Sequence, residues 1–171
     1  ILLTGEEGIG KSKLLDYFYE LKDMNIITKV VYVPFETDDS YHTRINDKYT
    51  FTSYLLDNTI SYDNLSLMTS NNGVEVNQQL IGKFIEHYSN EDKVGVFIDD
   101  IHLINKDNSD LYRFFKELVD TFLSAKFSKI KLVFTARVGD SFGGDRISTT
   151  YNDLLENYFE NEESTISHIH L

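Results

Sequence analysis

The chain has 171 residues, with 16 Lys plus Arg against 28 Asp plus Glu and a net charge of −12 at neutral pH. That length fits one domain that buries roughly 70% of the surface its unfolded form exposes, so no disulfide or metal staple is required. The acidity argues against a general surface that wraps nucleic acid. The absence of cysteine excludes a disulfide framework, a Cys zinc site, an iron–sulfur cluster and thiol catalysis, and it fits the cytoplasm. No apolar run approaches the ~18 residues of a membrane-crossing helix. The chain starts at Ile1 inside the run Ile1-Leu2-Leu3, without the basic start and long apolar stretch of a signal peptide. The expectation is a segment of a longer protein, cut within its first strand.

The run Ile1–Thr4 reads as that strand. Gly5-Glu6-Glu7-Gly8-Ile9-Gly10-Lys11-Ser12 follows, with four residues between Gly5 and Gly10, which is the spacing of a phosphate-binding loop. Gly5, Gly8 and Gly10 permit a tight turn that aims backbone N–H groups at phosphate oxygens. The helix starting near Lys11 turns its positive end to the same phosphates. Lys11 reaches the β- and γ-phosphates as a point charge, and Ser12 offers a hydroxyl to Mg²⁺. Leu14, Leu15, Phe18 and Leu21 then recur on one helix face.

Thr28–Val33 reads as a second strand. Its continuous run Val30-Val31-Tyr32-Val33 suits a strand covered on both faces, as in a parallel sheet. The pattern weakens from Glu36 to Asn72. Phe51 to Ile60 is compatible with a helix, and Ser61 to Gly73 reads as a polar loop closing on the turn Asn71-Asn72-Gly73. Val76, Leu80, Phe84 and Tyr88, joined by Ile81 and Ile85, mark the next helix.

Val94-Gly95-Val96-Phe97-Ile98-Asp99-Asp100 is an apolar strand ending in two carboxylates. Laid beside the phosphate-loop strand, it sets Asp99 near a Mg²⁺ shell and points Asp100 toward the γ-phosphate, where it can orient or deprotonate water. An N-capping Asp pair in a loop is the alternative. His102 fits a packing or loop role. Ser109 reads as the N-cap of a helix carrying Leu111, Phe114, Phe115, Leu118 and Phe122. Lys131–Thr135 is a further strand with Ala136-Arg137 at its tip, making Thr135 and Arg137 both candidates for sensing a γ-phosphate; a surface loop Arg is the alternative for Arg137. Arg146, after Gly143-Gly144-Asp145, is either an arginine finger toward a neighbouring subunit or an ordinary loop residue. Tyr151 to Phe159 carries a fourth helical pattern through Leu154, Leu155 and Tyr158, and Glu160 to Glu163 reads as its solvated end. Ile166–Leu171 closes the chain as a strand. His168 and His170 share one face there, without a third ligand nearby in sequence for a metal. Strands alternating with helices imply right-handed crossovers and a doubly wound α/β sheet.

Gly5–Ser12, Phe97-Ile98-Asp99-Asp100-Ile101-His102-Leu103 and Val133-Phe134-Thr135-Ala136-Arg137 together resemble the STAND and origin-recognition-like AAA ATPases. The Asp-Asp-Ile-His-Leu run is similar to the Walker-B segment of ATPase modules in bacterial signalling proteins, and Thr-Ala-Arg is similar to the Thr-Thr-Arg or Thr-Tyr-Arg sensor of that class. The resemblance covers nearly the whole chain. It implies a three-layer P-loop NTPase of ASCE type, with a five-stranded parallel sheet of order 5-1-4-3-2 and helices on both faces. Residues 1–171 would then be a nucleotide-binding core, truncated within strand 1 and before a helical lid.

The resemblance also implies ATP or ADP with Mg²⁺ as ligands, and ATP-driven switching within a larger multidomain protein. Adenine enters through the resemblance, since no guanine-reading Asn/Thr-Lys-x-Asp run occurs. The expected roles are catalytic for Lys11, Asp100 and Arg137, metal-binding for Ser12 and Asp99, and nucleotide-binding for Gly5, Glu6, Glu7, Gly8, Ile9, Gly10, Lys11, Ser12 and Thr135. Two departures stand out: Lys13 occupies a position where a second hydroxyl residue is common, and Asp100 replaces the more common Glu. The expected activity is slow ATP hydrolysis, with protein partners or self-assembly through other segments and no membrane contact. The alternatives are a nucleotide-holding interaction module without useful hydrolysis, and a replication-initiation ATPase that contacts DNA through a downstream domain. A P-loop small-molecule kinase would need an Arg-bearing lid, and no segment supplies one convincingly.

Overall fold

A computed structural model of the protein describes residues 1–5, 10, 13–35, 45–69, 75–104, 109–124, 129–137 and 168–170. Their order is β1 (Leu2–Gly5), α1 (Lys13–Asp23), β2 (Lys29–Pro34), α2 (Lys48–Leu55), α3 (Tyr62–Thr69), α4 (Val76–His87), β3 (Val94–Asp99), a 3₁₀ turn (Ile101–Leu103), α5 (Ser109–Ser124), β4 (Ile130–Arg137) and β5 (His168–His170). All strand pairs are parallel, and the sheet runs β2-β3-β4-β1-β5. Its body is the four-strand arrangement 1-4-3-2. The fifth strand expected over Ile166–Leu171 is described over His168–His170, where β5 pairs with Leu2–Thr4 at the edge. The helical pattern expected from Tyr151 to Phe159, the turn Asn71-Asn72-Gly73, Arg146 and Glu160 to Glu163 lie outside the described residues.

Strand pleating divides the apolar residues between two faces. Leu3, Phe97 and Val133 face α1 and meet Leu14, Leu15 and Phe18. Phe18 packs edge-on against Phe97 at 5.9 Å. On the opposite face Leu2, Val96, Ile98 and Phe134 join residues of α2, α4 and α5 in the larger core. Helices thus cover both faces, which explains why β3 is buried along its whole length and reads as an unbroken apolar run. Phe51 of α2 knits the larger core together. Its ring lies 5.4 Å from Phe35, 5.7 Å from Phe114 and 6.2 Å from Phe115, and Phe115 in turn meets Phe134 of β4 at 5.7 Å.

Local chemistry sets the helix ends. Asp47 caps α2 by accepting from the backbone N–H of Tyr49 at 2.8 Å and of Thr50 at 2.9 Å. At the other end Asp57 has φ 54°, and the N–H groups of Asp57 and Asn58 donate back to the carbonyls of Tyr54 and Ser53. Asn25 plays the same part after α1, with φ 57°, while Asn25 and Ile26 donate to Lys22 and Leu21. These paired bonds form Schellman endings, and Asn and Asp are the residues other than Gly that tolerate the left-handed position.

Three boundaries differ from the sequence reading. The helix expected from Phe51 to Ile60 starts earlier, at its Asp47 cap, and stops at Leu55. The polar loop expected from Ser61 contains a helix, α3, packed on α2 and α4. Only Leu65 and Thr69 of α3 are buried, while Leu67 is 66% exposed, so two anchors one turn apart hold it and leave almost no periodic signal. The strand expected over Lys131–Thr135 extends from Ile130 to Arg137, so Ala136 and Arg137 belong to the ladder rather than to a loop beyond it. Among the described residues no helix is long and apolar enough to cross a membrane.

Two predictions follow from the core. Phe51→Ala removes the ring shared by three other phenylalanines and is expected to cost about 3–5 kcal/mol, read as a lowered midpoint in urea unfolding. Tyr88, just past α4, donates its hydroxyl to the carbonyl of Leu55 at 3.1 Å. Burial, reinforced by the carboxylates of Asp57 and Glu91, holds its ionisation above the ordinary phenol range. Tyr88→Phe is expected to cost about 1 kcal/mol near neutral pH. Above about pH 10 an unfolded tyrosine ionises while the folded Tyr88 stays neutral, so its contribution is lost as pH rises. The stability gap between wild type and Tyr88→Phe should therefore narrow on going from about pH 8 to about pH 11.

Candidate functional site at the carboxyl rim of the sheet

Because every strand is parallel, Gly5, Pro34, Asp99, Arg137 and His170 all end on one rim. Ligands of open α/β sheets bind outside this rim. β1 and α1 flank the Gly-Glu-Glu-Gly-Ile-Gly-Lys-Ser segment as the motif requires. Gly5 closes β1 and pairs with Arg137. Gly10 has φ +94°, a left-handed conformation that a side chain would strain, and its carbonyl accepts from the N–H of Lys13 at 3.0 Å. The chain therefore enters α1 through the last glycine of the motif. Glu6, Glu7, Gly8, Ile9, Lys11 and Ser12 lie outside the described residues.

The structure corrects one placement. β3 does not lie beside β1; β4 is inserted between them and hydrogen-bonds to both. The acidic tip is thus one strand further from the phosphate-loop strand than direct adjacency would put it, and β4 bridges the gap. The ladder Ile98↔Phe134 sets the next residues, Asp99 and Thr135, side by side. Both continue the α1-facing sets of Phe97 and Val133, on the face that α1 covers.

Asp99, Asp100 and Thr135 are all buried, at 4%, 8% and 0% exposure. Thr135 Oγ1 donates to Asp99 Oδ1 and accepts from the backbone N–H of Asp100 at 2.9 Å. Its single hydroxyl is thereby oriented from two directions. The other carboxylate oxygen, Asp99 Oδ2, accepts from the Tyr32 hydroxyl at 3.0 Å. Side chains of three neighbouring strands, β2, β3 and β4, thus meet at one carboxylate.

Asp100 stops the strand. Its φ of 57° is left-handed, which turns the chain into the 3₁₀ segment, and its carbonyl accepts from the N–H of Leu103 at 3.0 Å. Without that turn, successive carboxylates would leave opposite faces of a strand. Asp100 Oδ1 lies 3.7 Å from His102 Nδ1, a contact that is an ion pair when the imidazole is protonated and is too long for a hydrogen bond. His102 thus sits beside the acidic pair, and the packing role read for it in the sequence omits this proximity. Among the described residues no group of three His, Cys, Asp or Glu comes together to hold a metal ion. Among the described residues, Asp99 is a carboxylate at this rim that a cation could meet, with the rest of its ligands from elsewhere.

Tyr32 was not singled out from sequence. It sits inside the valine run of β2, where a tyrosine reads as one more strand former. The available signal was its place two residues before the end of a parallel strand, where a hydroxyl can reach the rim.

No protein-family model matches the chain, and no curated protein does. Among solved structures, the chain is similar to the ORC2 protein of Aeropyrum pernix, solved in ADPNP-ADP complexes, with a TM-score of 0.51 and 14% identity. The match covers 99% of this chain and 41% of the ORC2 chain, so the chain spans well under half of that protein. At this identity the likeness concerns the fold: a parallel α/β sheet flanked by helices, of the kind found in that ORC2 protein.

Proposed function

We propose that this chain is the nucleotide-binding core of a regulatory ATPase, which binds Mg–ATP, hydrolyses it slowly and uses the change as a conformational switch in a larger protein. One observation carries the reading: a complete P-loop motif between the first strand and first helix of a parallel sheet whose rim also bears the buried Asp99–Thr135 pair. The similarity to an ORC2 protein solved with ADPNP-ADP supports nucleotide binding. The finer assignment to the signalling branch rests on the Asp99-Asp100-Ile101-His102-Leu103 run.

In this reading the backbone from Gly5 to Ser12, including Glu6, Glu7, Gly8, Ile9 and Gly10, wraps the phosphates. Gly10 supports this, since its positive φ is the conformation in which successive N–H groups form an anion-binding nest. Lys11 neutralises charge on the β- and γ-phosphates. Ser12 and Asp99 would hold Mg²⁺; an anchored acidic oxygen donor suits a hard cation that keeps several waters. When bound, that ion neutralises charge developing on the phosphoryl oxygens. Asp100 orients the attacking water and accepts its proton, while Thr135 or Arg137 responds to the γ-phosphate. Asp100 is a methylene shorter than the Glu more common at this position in the class it resembles, which fits slow turnover.

The ORC2 likeness is also compatible with a second reading, a replication-initiation ATPase acting on DNA. The net charge of −12 makes this core a poor DNA surface, so such contact would belong to another segment.

Calorimetric titration with Mg–ATP tests the site. Lys11→Ala is expected to abolish measurable binding while leaving the thermal midpoint unchanged within about 1 °C. Binding that survives in Lys11→Ala would move the nucleotide elsewhere. Asp100→Asn separates enzyme from holding module: phosphate release should fall about 100-fold or more with nucleotide affinity retained. Unchanged slow release in Asp100→Asn would remove Asp100 as the base and favour the nucleotide-holding module.

A further inference from the structure

The mechanism above uses Thr135 only as a candidate sensor and leaves Tyr32 without a role. Their hydrogen bonds point to something else. The Thr135 hydroxyl has one proton, and it is directed to Asp99 Oδ1. Its oxygen is occupied by the Asp100 N–H at 2.9 Å. The Tyr32 hydroxyl occupies the opposite oxygen of the same carboxylate at 3.0 Å. Tyr32 is itself fixed, its ring 6.0 Å from that of Phe97, which also meets Phe18 of α1. A carboxylate flexing about its last torsion would break one or both contacts.

We infer that Tyr32 and Thr135 are positioning residues that lock the Asp99 carboxylate from both sides and so set how firmly Mg²⁺ is held with nucleotide. This rests on the reading of Asp99 as a metal ligand. It gives β2, which carries none of the motif residues, a defined part in the site. Outer partners that orient a ligating side chain commonly contribute 10–100-fold to metal affinity.

The test titrates ADP into the protein at a series of Mg²⁺ concentrations, so that no turnover enters the readout. Wild type should bind ADP more tightly as Mg²⁺ is added. Tyr32→Phe keeps the ring against Phe97 and removes only the hydroxyl. It is expected to require about tenfold more Mg²⁺ for the same gain, with metal-free ADP affinity unchanged. Should Tyr32→Phe fail to fold, Thr135→Val, which removes the hydroxyl on the other oxygen, should likewise require more Mg²⁺ for the same gain, and Thr135→Ser should restore wild-type Mg²⁺ dependence. A Mg²⁺ dependence equal to wild type in a folded variant overturns the inference and leaves the ATPase reading standing. An equal loss of affinity with and without Mg²⁺ also overturns it, by showing general damage rather than a loosened metal ligand. A wild-type protein that binds no ADP at any Mg²⁺ concentration overturns the ATPase reading, and this inference with it.

Discussion

The structure depends on the parallel pairing of β3 between β2 and β4. Val94 to Asp99 is buried throughout, with α1 on one side and the α2, α4 and α5 layer on the other. A strand covered on both faces has no solvent-facing positions, so its register is set by packing on both sides at once. That register aligns Asp99 with Thr135 and brings Tyr32 within reach. An error of one residue would exchange the two faces and bury Asp100 where Asp99 now stands.

Buried carboxylates are costly unless hydrogen bonds replace the lost water. The rim meets this demand with neighbours that are themselves fixed. Thr135 lies within β4, Tyr32 is wedged against Phe97, and Asp100 is turned by its left-handed backbone. Polar satisfaction and positional accuracy therefore come from the same bonds. The same logic operates away from the rim, where the buried Tyr88 hydroxyl meets the buried Leu55 carbonyl at the end of α2, and where Asn77 of α4 donates to Glu117 of α5 at 3.0 Å.

Legibility in the sequence followed the strength of each physical signal. Val96-Phe97-Ile98 and the heptad-like spacing from Val76 to Phe84 were readable because burial on a repeating face leaves a repeating pattern. Gly10 was readable because a positive φ is a local demand that one residue type meets. α3 escaped because Leu65 and Thr69 are its only buried positions. Tyr32 escaped because its partner Asp99 is 67 residues away in sequence, and pairing across a sheet leaves no mark in local periodicity. The relation of β3 to β1 escaped the residue-by-residue reading for a similar reason. Strand order is a property of crossovers, and only the family resemblance carried the 1-4-3-2 arrangement.

β2 also has a bearing on how the molecule meets copies of itself. Among the described residues it is an outer strand, and an outer strand normally offers unpaired backbone groups as a template for another chain. Here it begins with Lys29, whose ammonium is tied to Asp57 at 2.5 Å, and ends with Pro34, which has no N–H to offer. The charge and the proline bracket a short run of valines that would otherwise be adhesive, and so guard an aggregation-prone stretch. The sheet can remain strongly apolar inside while this border discourages strand-to-strand accretion.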